Sequence, residues 1–238
     1  MDIHTFLDAR AVAVAAADRL AAALHLKPAL RIALPAGATP VPLFEELIRR
    51  HREEGLSFSE VTVFGLDEYR GLGPGHPRSF AWFFRSFLLD QLDVPPERIH
   101  LLEGDREPAE HTCRLHEARL LADGGLDLAI VGVGGNGHLA FNEPSPALVA
   151  GTHVATLSPE TRAALPADIG YVEEGLSMGM GSILSAREIL LLATGPAKSG
   201  IIGRLAQPLV STMVPASLLH VHPSAHVLVD AAAASALG

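Results

Sequence analysis

The stretch LDLAIVGVGGNGHLAFNEP, Leu126–Pro144, joins a near-continuous apolar run to a loop of glycine, asparagine and proline residues. An apolar run of this length, bounded by turn residues, is typical of a strand buried on both faces of a parallel sheet. Ligands of such sheets bind beyond the carboxyl ends of the strands. The stretch therefore predicts a buried parallel strand, followed by polar side chains where a functional site is expected.

The remainder of the chain repeats this alternation of strand and helix. Helical periodicity covers residues 8–24, 41–54 and 107–122, and Ser79 is expected to cap a helix over AWFFRSFLLDQL. Short apolar or β-rich runs lie at residues 29–34, 61–66, 188–194 and 226–230. This order predicts an α/β protein whose mostly parallel central sheet is covered on both faces. The 238 residues contain no repeat and no linker, so we predict one domain over residues 1–238.

Composition and charge exclude several classes of protein. The net charge of −9 argues against a nucleic-acid-binding surface, because phosphate backbones require clustered cations. No apolar run approaches the roughly 20 residues of a membrane-spanning helix, and residues 1–10 lack the features of a signal peptide. Cys113 is the single cysteine, which excludes an internal disulfide and suits a reducing compartment. We therefore expect a cytoplasmic protein that binds neither nucleic acid nor membranes.

Four conspicuous polar segments each follow one of the predicted strands. They are PAGATP (Pro35–Pro40), DEYRG (Asp67–Gly71), GGNGHLAFNEP (Gly134–Pro144) and TGPAKSG (Thr194–Gly200). The carboxyl ends of parallel strands share one edge of the sheet. We therefore expect the four segments to converge on one crevice.

The segment GGNGHLAFNEP carries a candidate acid–base pair. His138 follows a tight turn around Asn136, and Glu143 lies five residues further on, where a non-helical loop can fold back onto the imidazole. A histidine oriented by a carboxylate is a general acid–base unit. Each residue alone is more often structural, but their common setting after a buried strand favours the functional interpretation.

The segment DEYRG carries two adjacent carboxylates, Asp67 and Glu68. Neighbouring side chains point to different sides, so one is expected to enter the crevice while the other pairs elsewhere. A carboxylate at a strand end can abstract a proton alpha to a carbonyl, which is the step that drives aldose–ketose isomerisation. A solvated acidic turn would be the better interpretation if this segment stood alone.

The two remaining segments are candidate phosphate sites. Backbone groups of Gly37 and Thr39, with the Thr39 hydroxyl, are placed to cradle a phosphate at the start of the next helix. Lys198 follows another predicted strand, and its cation would complement a phosphate dianion. An ordinary connecting loop and a solvated lysine are the alternative interpretations.

Two glycine patterns point to other functions but lack the context that those functions need. Gly132, Gly134 and Gly137 match the dinucleotide-binding pattern GxGxxG, yet a loop broken by proline follows where that motif would open a helix. Residues Gly175–Gly179, GLSMG, fit the nucleophile elbow GxSxG, yet the preceding PADIGYVEE is a poor hydrophobic strand. Neither pattern is adopted.

A histidine group near the C-terminus raises the question of a metal site. It consists of His220, His222 and His226. No carboxylate lies among them in the sequence, so we interpret them as loop and strand-end histidines. No metal ligand is predicted.

Taken in order, four stretches resemble the glucosamine-6-phosphate deaminase family: FGLDEYRGLGPGHPRSF, GVGGNGHLAFNEP, GMGSILSAREILLLATGPAKSG and PASLLHVHP. The similarity extends over most of the chain, and the combination of DEY with NGHxAFNEP is its most specific part. The resemblance implies a Rossmann-like three-layer sandwich, a small sugar phosphate as substrate, and no metal or organic cofactor. The implied reaction converts an aminohexose 6-phosphate and water to a ketohexose 6-phosphate and ammonium.

The resemblance also implies roles for individual residues. Asp67 would move the proton between C2 and C1, His138 would open the pyranose ring with Glu143 orienting it, and Lys198 would bind phosphate with the PAGATP turn. The candidate catalytic residues are Asp67, Asn136, His138 and Glu143. The candidate substrate or phosphate ligands are Gly37, Ala38, Thr39, Glu68, Gly137, Arg162 and Lys198.

The chain departs from the family pattern at three places. Asn136 stands where regulated members carry aspartate, so His138 is expected to be less basic here. The usual GGTP is GATP, with Ala38 in the turn. A second arginine often follows the one that corresponds to Arg162, but this chain has AALPAD there, so its phosphate affinity or substrate is expected to differ. We expect no allosteric site, because the longer C-terminal portion of regulated members is missing.

Three other functions compete with the deaminase interpretation. A 6-phosphogluconolactonase would carry DER and DGHxASLFP in place of DEY and NGHLAFNEP. A non-catalytic sugar-phosphate sensor would need a DNA-binding module, for which the chain has no spare length. A deaminase for another epimer, such as galactosamine 6-phosphate, is left open by the sequence, as is a homo-oligomer.

Overall fold

The computed structural model describes residues 1–237; Gly238, the last residue of the predicted domain, lies outside the described residues. The helices are α1 (Ala9–Leu26), α2 (Val41–Glu54), α3 (Phe80–Phe87), α4 (Ala109–Ala122), α5 (Pro159–Ala163), α6 (Met180–Leu184) and α7 (Ser199–Leu205). The strands are β1 (Asp2–Phe6), β2 (Arg31–Leu34), β3 (Thr62–Gly65), β4 (Asp67–Tyr69), β5 (Ile99–His100), β6 (Leu128–Val131), β7 (His153–Thr156), β8 (Glu174–Ser177), β9 (Glu188–Ala193) and β10 (Ala225–Asp230). Short 3₁₀ turns complete the chain.

Seven strands form the central sheet, in the order β1-β10-β9-β6-β2-β3-β5, and every neighbouring pair is parallel. Alternate residues of each strand enter opposite apolar layers. Ile130 packs into the layer with helices α1, α2 and α3, while its neighbour Val131 packs into the layer with α4, α6 and α7. The predicted three-layer α/β sandwich with a mostly parallel sheet is confirmed.

The predicted positions of the main helices and strands agree closely with the structure. Helix α2 occupies the predicted residues 41–54, and Asp8 caps α1 by accepting a hydrogen bond from Ala11 N at 2.8 Å. Ser79 caps α3 through a bond from Trp82 N at 3.0 Å, as predicted. The predicted helix over AWFFRSFLLDQL is too long, because α3 ends at Phe87 and a 3₁₀ turn follows.

Five strands were not predicted from the sequence: β1, β4, β5, β7 and β8. Strand β1 pairs with β10 at the edge of the central sheet. The segment DEY, expected to be a loop, is strand β4, which belongs to a separate antiparallel sheet in the order β4-β8-β7. Strand β4 follows β3 directly in the chain, and its pairing with β8 holds Asp67 in a regular backbone ladder.

The amino edge of the central sheet is held by a buried carboxylate, Asp127, which immediately precedes β6. Its oxygens accept hydrogen bonds from Lys27 Nζ at 2.6 and 2.7 Å and from the Arg31 guanidinium and backbone at 3.0 Å. Burial alone would raise the pKa of Asp127, but the hydrogen bonds from Arg31 and Lys27 outweigh it and lower the pKa to about 2.

Within residues 1–237, no helix combines the length and hydropathy needed to cross a bilayer.

We expect Asp127→Asn to lower the free energy of unfolding by about 2 kcal/mol at pH 7, because it removes the counter-charge of the largely buried Arg31 and the half-exposed Lys27. Since the folded pKa of Asp127 lies near 2, below its usual value of 3.8, the contribution is present above pH 4 and is lost as the pH falls towards 2. Urea unfolding of both proteins between pH 2 and 7 measures this. An unchanged difference at pH 2 and pH 7 would contradict the electrostatic explanation.

Candidate active site

Four central strands end beside one another at the carboxyl edge of the sheet. They are the consecutive neighbours β9, β6, β2 and β3, and the four polar segments singled out from the sequence follow them directly. Parallel pairing gives all four segments the same edge. The topology therefore brings the predicted candidates together, although they are widely separated along the chain.

The loop after β6 is folded around His138 by a tight turn. Gly137 N donates to Gly134 O and Gly134 N donates to His138 O, both at 3.0 Å. Gly137 has φ +97°, and a Cβ there would lie 2.8 Å from Val214 Cγ1. A Cβ at Gly134 would lie 2.2 Å from the His138 ring. The imidazole thus rests directly on the Cα of Gly134, and no larger residue fits at that position.

The His138 imidazole is joined to Glu143, as the loop spacing predicted. Nδ1 of His138 lies 3.4 Å from Glu143 Oε2 and 3.3 Å from Thr161 Oγ1. Asn136 spans the loop: its amide nitrogen donates to Glu143 Oε2 at 2.8 Å, and its amide oxygen accepts from His138 N at 3.1 Å. Asn136 therefore fixes both the carboxylate and the backbone that carries the imidazole.

The Glu143 carboxylate is held by more donors than the sequence indicated. Thr161 Oγ1 donates to Oε1 at 2.5 Å, and Ser158 N donates to Oε1 at 3.3 Å. Burial alone would raise the pKa of Glu143, but hydrogen bonds from His138, Thr161 and Asn136 lower it to about 2. Glu143 is therefore ionised at neutral pH, and its fixed negative charge faces Nδ1 of the His138 ring.

Asp67 is the residue with the most perturbed environment at this edge. It is half-buried, and its Oδ1 is shielded from solvent and accepts no hydrogen bond from the described residues. Burial raises the pKa of Asp67 to about 8, and the adjacent charge of Glu68 contributes. A carboxyl group with a pKa near the working pH suits a general base.

The neighbouring Glu68 has a structural position instead. It is 1% exposed, and its oxygens accept hydrogen bonds at 2.9 Å from the backbone N–H groups of Tyr69, Phe80 and Ala81. Two of these donors belong to the first turn of α3, whose positive dipole end favours a carboxylate. Glu68 therefore pairs with the start of α3, and its role as a substrate ligand stays a prediction.

Strand β8 links Asp67 to the His138 loop. Asp67 is paired across the antiparallel ladder with Ser177, and Ser177 Oγ accepts a hydrogen bond from Phe141 N at 3.0 Å. The Phe141 ring also lies 5.4 Å from the ring of Tyr69, centroid to centroid. Hydrogen bonding and aromatic packing thus hold the DEY segment against the AFNEP segment.

The predicted phosphate segments lie in the loops on either side of β6. Gly37 has φ +105°, a conformation that favours glycine, and it is exposed together with Ala38, while Thr39 is half-buried. These residues precede α2, whose N-terminus has no side-chain cap in the described structure. Lys198 Nζ donates to Val133 O at 2.7 Å, which brings the lysine to the base of the His138 loop. Burial lowers the pKa of Lys198.

Arg162 lies on α5, next to Thr161, and is less directly connected to the site. Its guanidinium lies 3.4 Å from Glu173 Oε1, while its Nε is buried without a hydrogen-bond partner among the described residues. It borders a cavity of about 430 Å³ formed by residues 159–172. The contact of Thr161 with Glu143 places α5 against the His138 loop, so Arg162 stands at the rim of the candidate site.

Two contributors, Ser158 and Thr161, were not identified from the sequence. The dipeptide Ser158-Pro159 is a helix-start signal, and Ser158 Oγ does accept a hydrogen bond from Thr161 N at 3.1 Å. That signal predicts the cap of α5. It contains no indication that the capped turn would hold Glu143, since this contact depends on tertiary packing.

The patterns set aside in the sequence are set aside by the structure as well. Ser177 of GLSMG is fully buried and occupied in hydrogen bonds, so it is no exposed nucleophile. GxGxxG opens a loop and no helix. His220 and His222 contact backbone carbonyls of Leu205 and Ala186 at 2.9 and 2.8 Å, which are structural positions.

The fold and this edge define a class: an α/β protein whose candidate acid–base residues gather at the carboxyl ends of its parallel strands. The chain belongs to the family described as glucosamine-6-phosphate isomerases/6-phosphogluconolactonase, whose model matches residues 7–229.

Individual relatives agree with this assignment. A glucosamine-6-phosphate deaminase of Hahella chejuensis is 41% identical over 231 residues, covering 95% of this chain and 88% of the relative. The solved structure of a monomeric glucosamine-6-phosphate deaminase has a TM-score of 0.96 at 34% identity, covering 99% of this chain and 100% of that chain. A 6-phosphogluconolactonase from Trypanosoma brucei shares the fold, with a TM-score of 0.77 at 18% identity and coverage of 100% and 98%.

We expect Gly134→Ala to reduce turnover at least about tenfold, because small displacements of a catalytic group have large kinetic effects. The added Cβ would overlap the His138 ring, which must move. Gly135→Ala is the matched control, because a Cβ at this exposed neighbour meets no described atom within 4 Å. Steady-state kinetics and circular dichroism of both variants measure the effect. Equal loss of turnover in the two variants would contradict the packing explanation.

Proposed function

We propose that this chain is an aminohexose-6-phosphate deaminase that converts glucosamine 6-phosphate and water to fructose 6-phosphate and ammonium. The observation that carries the proposal is the pairing of His138 with the ionised Glu143 at the same sheet edge as the buried carboxyl group of Asp67. The relatives named glucosamine-6-phosphate deaminase support the choice of substrate. The family match over residues 7–229 supports treating residues 1–238 as one domain.

The first step assigned to the site is ring opening by His138. Protonation of the ring oxygen and removal of the proton from the C1 hydroxyl convert the pyranose to the open-chain aldehyde. Glu143 lies 3.4 Å from Nδ1 and orients the ring, which leaves Nε2 for proton transfer to and from the substrate. Asn136 and Thr161 keep the carboxylate in place through both of its oxygens.

The second step is proton transfer by Asp67. The aldehyde at C1 acidifies the C2–H bond, so the Asp67 carboxylate can take this proton, while the carbonyl oxygen takes up a proton from the substrate's own ammonium group and the enolamine forms. Return of the proton to C1 leaves an iminium group at C2. Water adds to this carbon and the nitrogen leaves as ammonium, which gives the ketone. Burial makes Asp67 a stronger base than an exposed aspartate, because the neutral carboxyl group is favoured there.

The phosphate group is assigned to the loops on either side of β6. Gly37, Ala38 and Thr39 form the turn before α2, and their backbone N–H groups are assigned to the phosphate. Lys198 supplies a cation, and Arg162 is assigned a second one from the rim. In an otherwise acidic protein, such local donors are required for binding an anion.

The lactonase interpretation is less well supported by the contacts. In its motif, DGHxASLFP, phenylalanine occupies the position of Glu143, so the carboxylate that holds His138 would be missing. The same motif has serine at the position of Phe141, and DER has arginine at that of Tyr69. In this chain these two aromatic rings pack against each other. The chain therefore carries the deaminase version as one connected unit. The cytoplasmic location, the oligomeric state and the epimer of the substrate remain predictions.

We expect Asp67→Asn to lower kcat by about 10²–10⁴-fold, the range over which general acid–base groups act. The amide keeps the shape of the side chain but cannot accept the C2 proton. Ammonium and ketose phosphate are measured with glucosamine 6-phosphate and with galactosamine 6-phosphate. Release of acid is measured with 6-phosphogluconolactone as the control. Hydrolysis of the lactone alone would contradict the proposed function, and near-full turnover of Asp67→Asn would contradict only the assigned base.

The raised pKa of Asp67 also predicts an effect on stability. Below pH 3.8 the group is protonated in both states; between pH 3.8 and about 8 the unfolded chain releases the proton while the folded protein keeps it. The wild type should therefore lose stability relative to Asp67→Asn as the pH rises from 4 to 8. Urea unfolding at several pH values measures the difference, and the exposed Asp90→Asn serves as the control. A difference between wild type and Asp67→Asn that does not change with pH would contradict the burial argument.

A further inference from the structure

Three potential metal ligands meet at the amino edge of the central sheet, away from the candidate active site. Asp2 and His4 lie two residues apart on β1, and Asp2 is the register partner of His226 on β10. Side chains alternate along a strand, so all three project from the same face of the sheet. The edge is opposite the one where the loops carrying Asp67 and His138 lie.

The three side chains are close enough to share one ion. One ligand atom from each of Asp2, His4 and His226 lies within 4.8 Å of the others. The distance from His226 Nδ1 to Asp2 Oδ2 is 3.8 Å, and the two imidazole centroids are 5.7 Å apart. Ligands of one tetrahedral zinc ion, about 2.0–2.2 Å from the metal, lie at similar mutual distances after small side-chain rotations.

Each of the two imidazoles also has a buried nitrogen atom that lacks a hydrogen-bond partner among the described residues. His4 Nε2 and His226 Nδ1 are shielded from solvent, yet neither forms a hydrogen bond within the described part of the chain. A buried nitrogen without a partner is unfavourable, because it has lost its hydrogen bonds to water without replacing them. A cation bound between these atoms would remove both penalties, which hydrogen bonding within the group does not do.

The surrounding charges favour a cation. Asp2 contributes one carboxylate and Glu188 a second, whose Oε1 lies 3.9 Å from His226 Nε2. Arg19 is paired with Glu188 at 3.1 Å, which leaves the Asp2 carboxylate to face the imidazole of His226. Glu188 lies behind the His226 ring, and a carboxylate in that position orients a metal-binding histidine.

We propose that Asp2, His4 and His226 bind one divalent transition-metal ion of the zinc type and thereby fasten the edge strand β1 to β10. Two imidazoles and a carboxylate are ligands that zinc prefers, and a water molecule can complete the tetrahedron. The ion has no part in the proposed reaction. Its effect is on the stability of the edge, because β1 has β10 as its neighbour on one side only.

The test uses the full chain without an affinity tag, dialysed against chelator and titrated with zinc chloride in a calorimeter. We expect one zinc ion per chain and a higher Tm with zinc than with chelator, since a ligand that binds the folded state stabilises it. His4→Gln and His226→Gln should each weaken zinc binding by more than about tenfold, because loss of a residue that only orients a metal ligand already weakens binding by about that much. Turnover should be equal with and without zinc.

His111→Gln is the control for general histidine binding, because it removes an exposed imidazole from α4. It should bind zinc like the wild type. Asp2→Asn covers the case in which a histidine variant fails to fold, since Asp2 is exposed, and it too should weaken binding. Absence of saturable binding, or equal affinity of the wild type and all three ligand variants, would overturn the proposal.

Discussion

Parallel pairing of β9, β6, β2 and β3 is the constraint on which the rest of the structure depends. These four strands are short and almost wholly buried, so their backbone groups must be satisfied by one another within the sheet. The pairing gives them a common direction. Their loops therefore open at one edge, and the polar residues of those loops become neighbours regardless of their separation along the chain.

A second constraint acts within that edge, on the charge of Glu143. A half-buried carboxylate is stable in its ionised form only when donors surround it. Here they come from two separate places in the sequence: Asn136 and His138 lie in the same loop as Glu143, and Ser158 and Thr161 lie in the capped turn of α5. The stability of the ion thus requires the loop and α5 to be held together, and it orients the imidazole at the same time.

The DEY segment shows how two neighbouring carboxyl groups come to lie in different environments. Glu68 is buried, but the N-terminus of α3 supplies two backbone donors and Tyr69 N supplies a third. Asp67 has a shielded oxygen without such donors, and its pKa is raised to about 8. Unsatisfied polar groups of this kind are costly for folding and occur where a reaction requires them. The strand pairing of β4 with β8 keeps the unfavourable group in position.

The sequence by itself determined what depends on local pattern. Apolar runs defined the buried strands, Asp8 and Ser79 marked the starts of helices, and the spacing from His138 to Glu143 indicated a loop that folds back. Pattern also indicated that Asp67 and Glu68 would face different ways. It did not indicate which of the two carboxylates would accept hydrogen bonds from the start of α3, because that depends on where the helix packs.

Only the tertiary structure decided which distant residues meet. Strand β1 is polar at alternate positions and has little apolar signal of its own; its place at the sheet edge depends on β10. That pairing puts Asp2 opposite His226. It thereby supplies a carboxylate that the local sequence around the histidines lacks. Thr161 reaches Glu143 for the same reason. Local patterns specify conformation over a few residues, whereas contacts between segments follow from burying apolar surface across the whole chain.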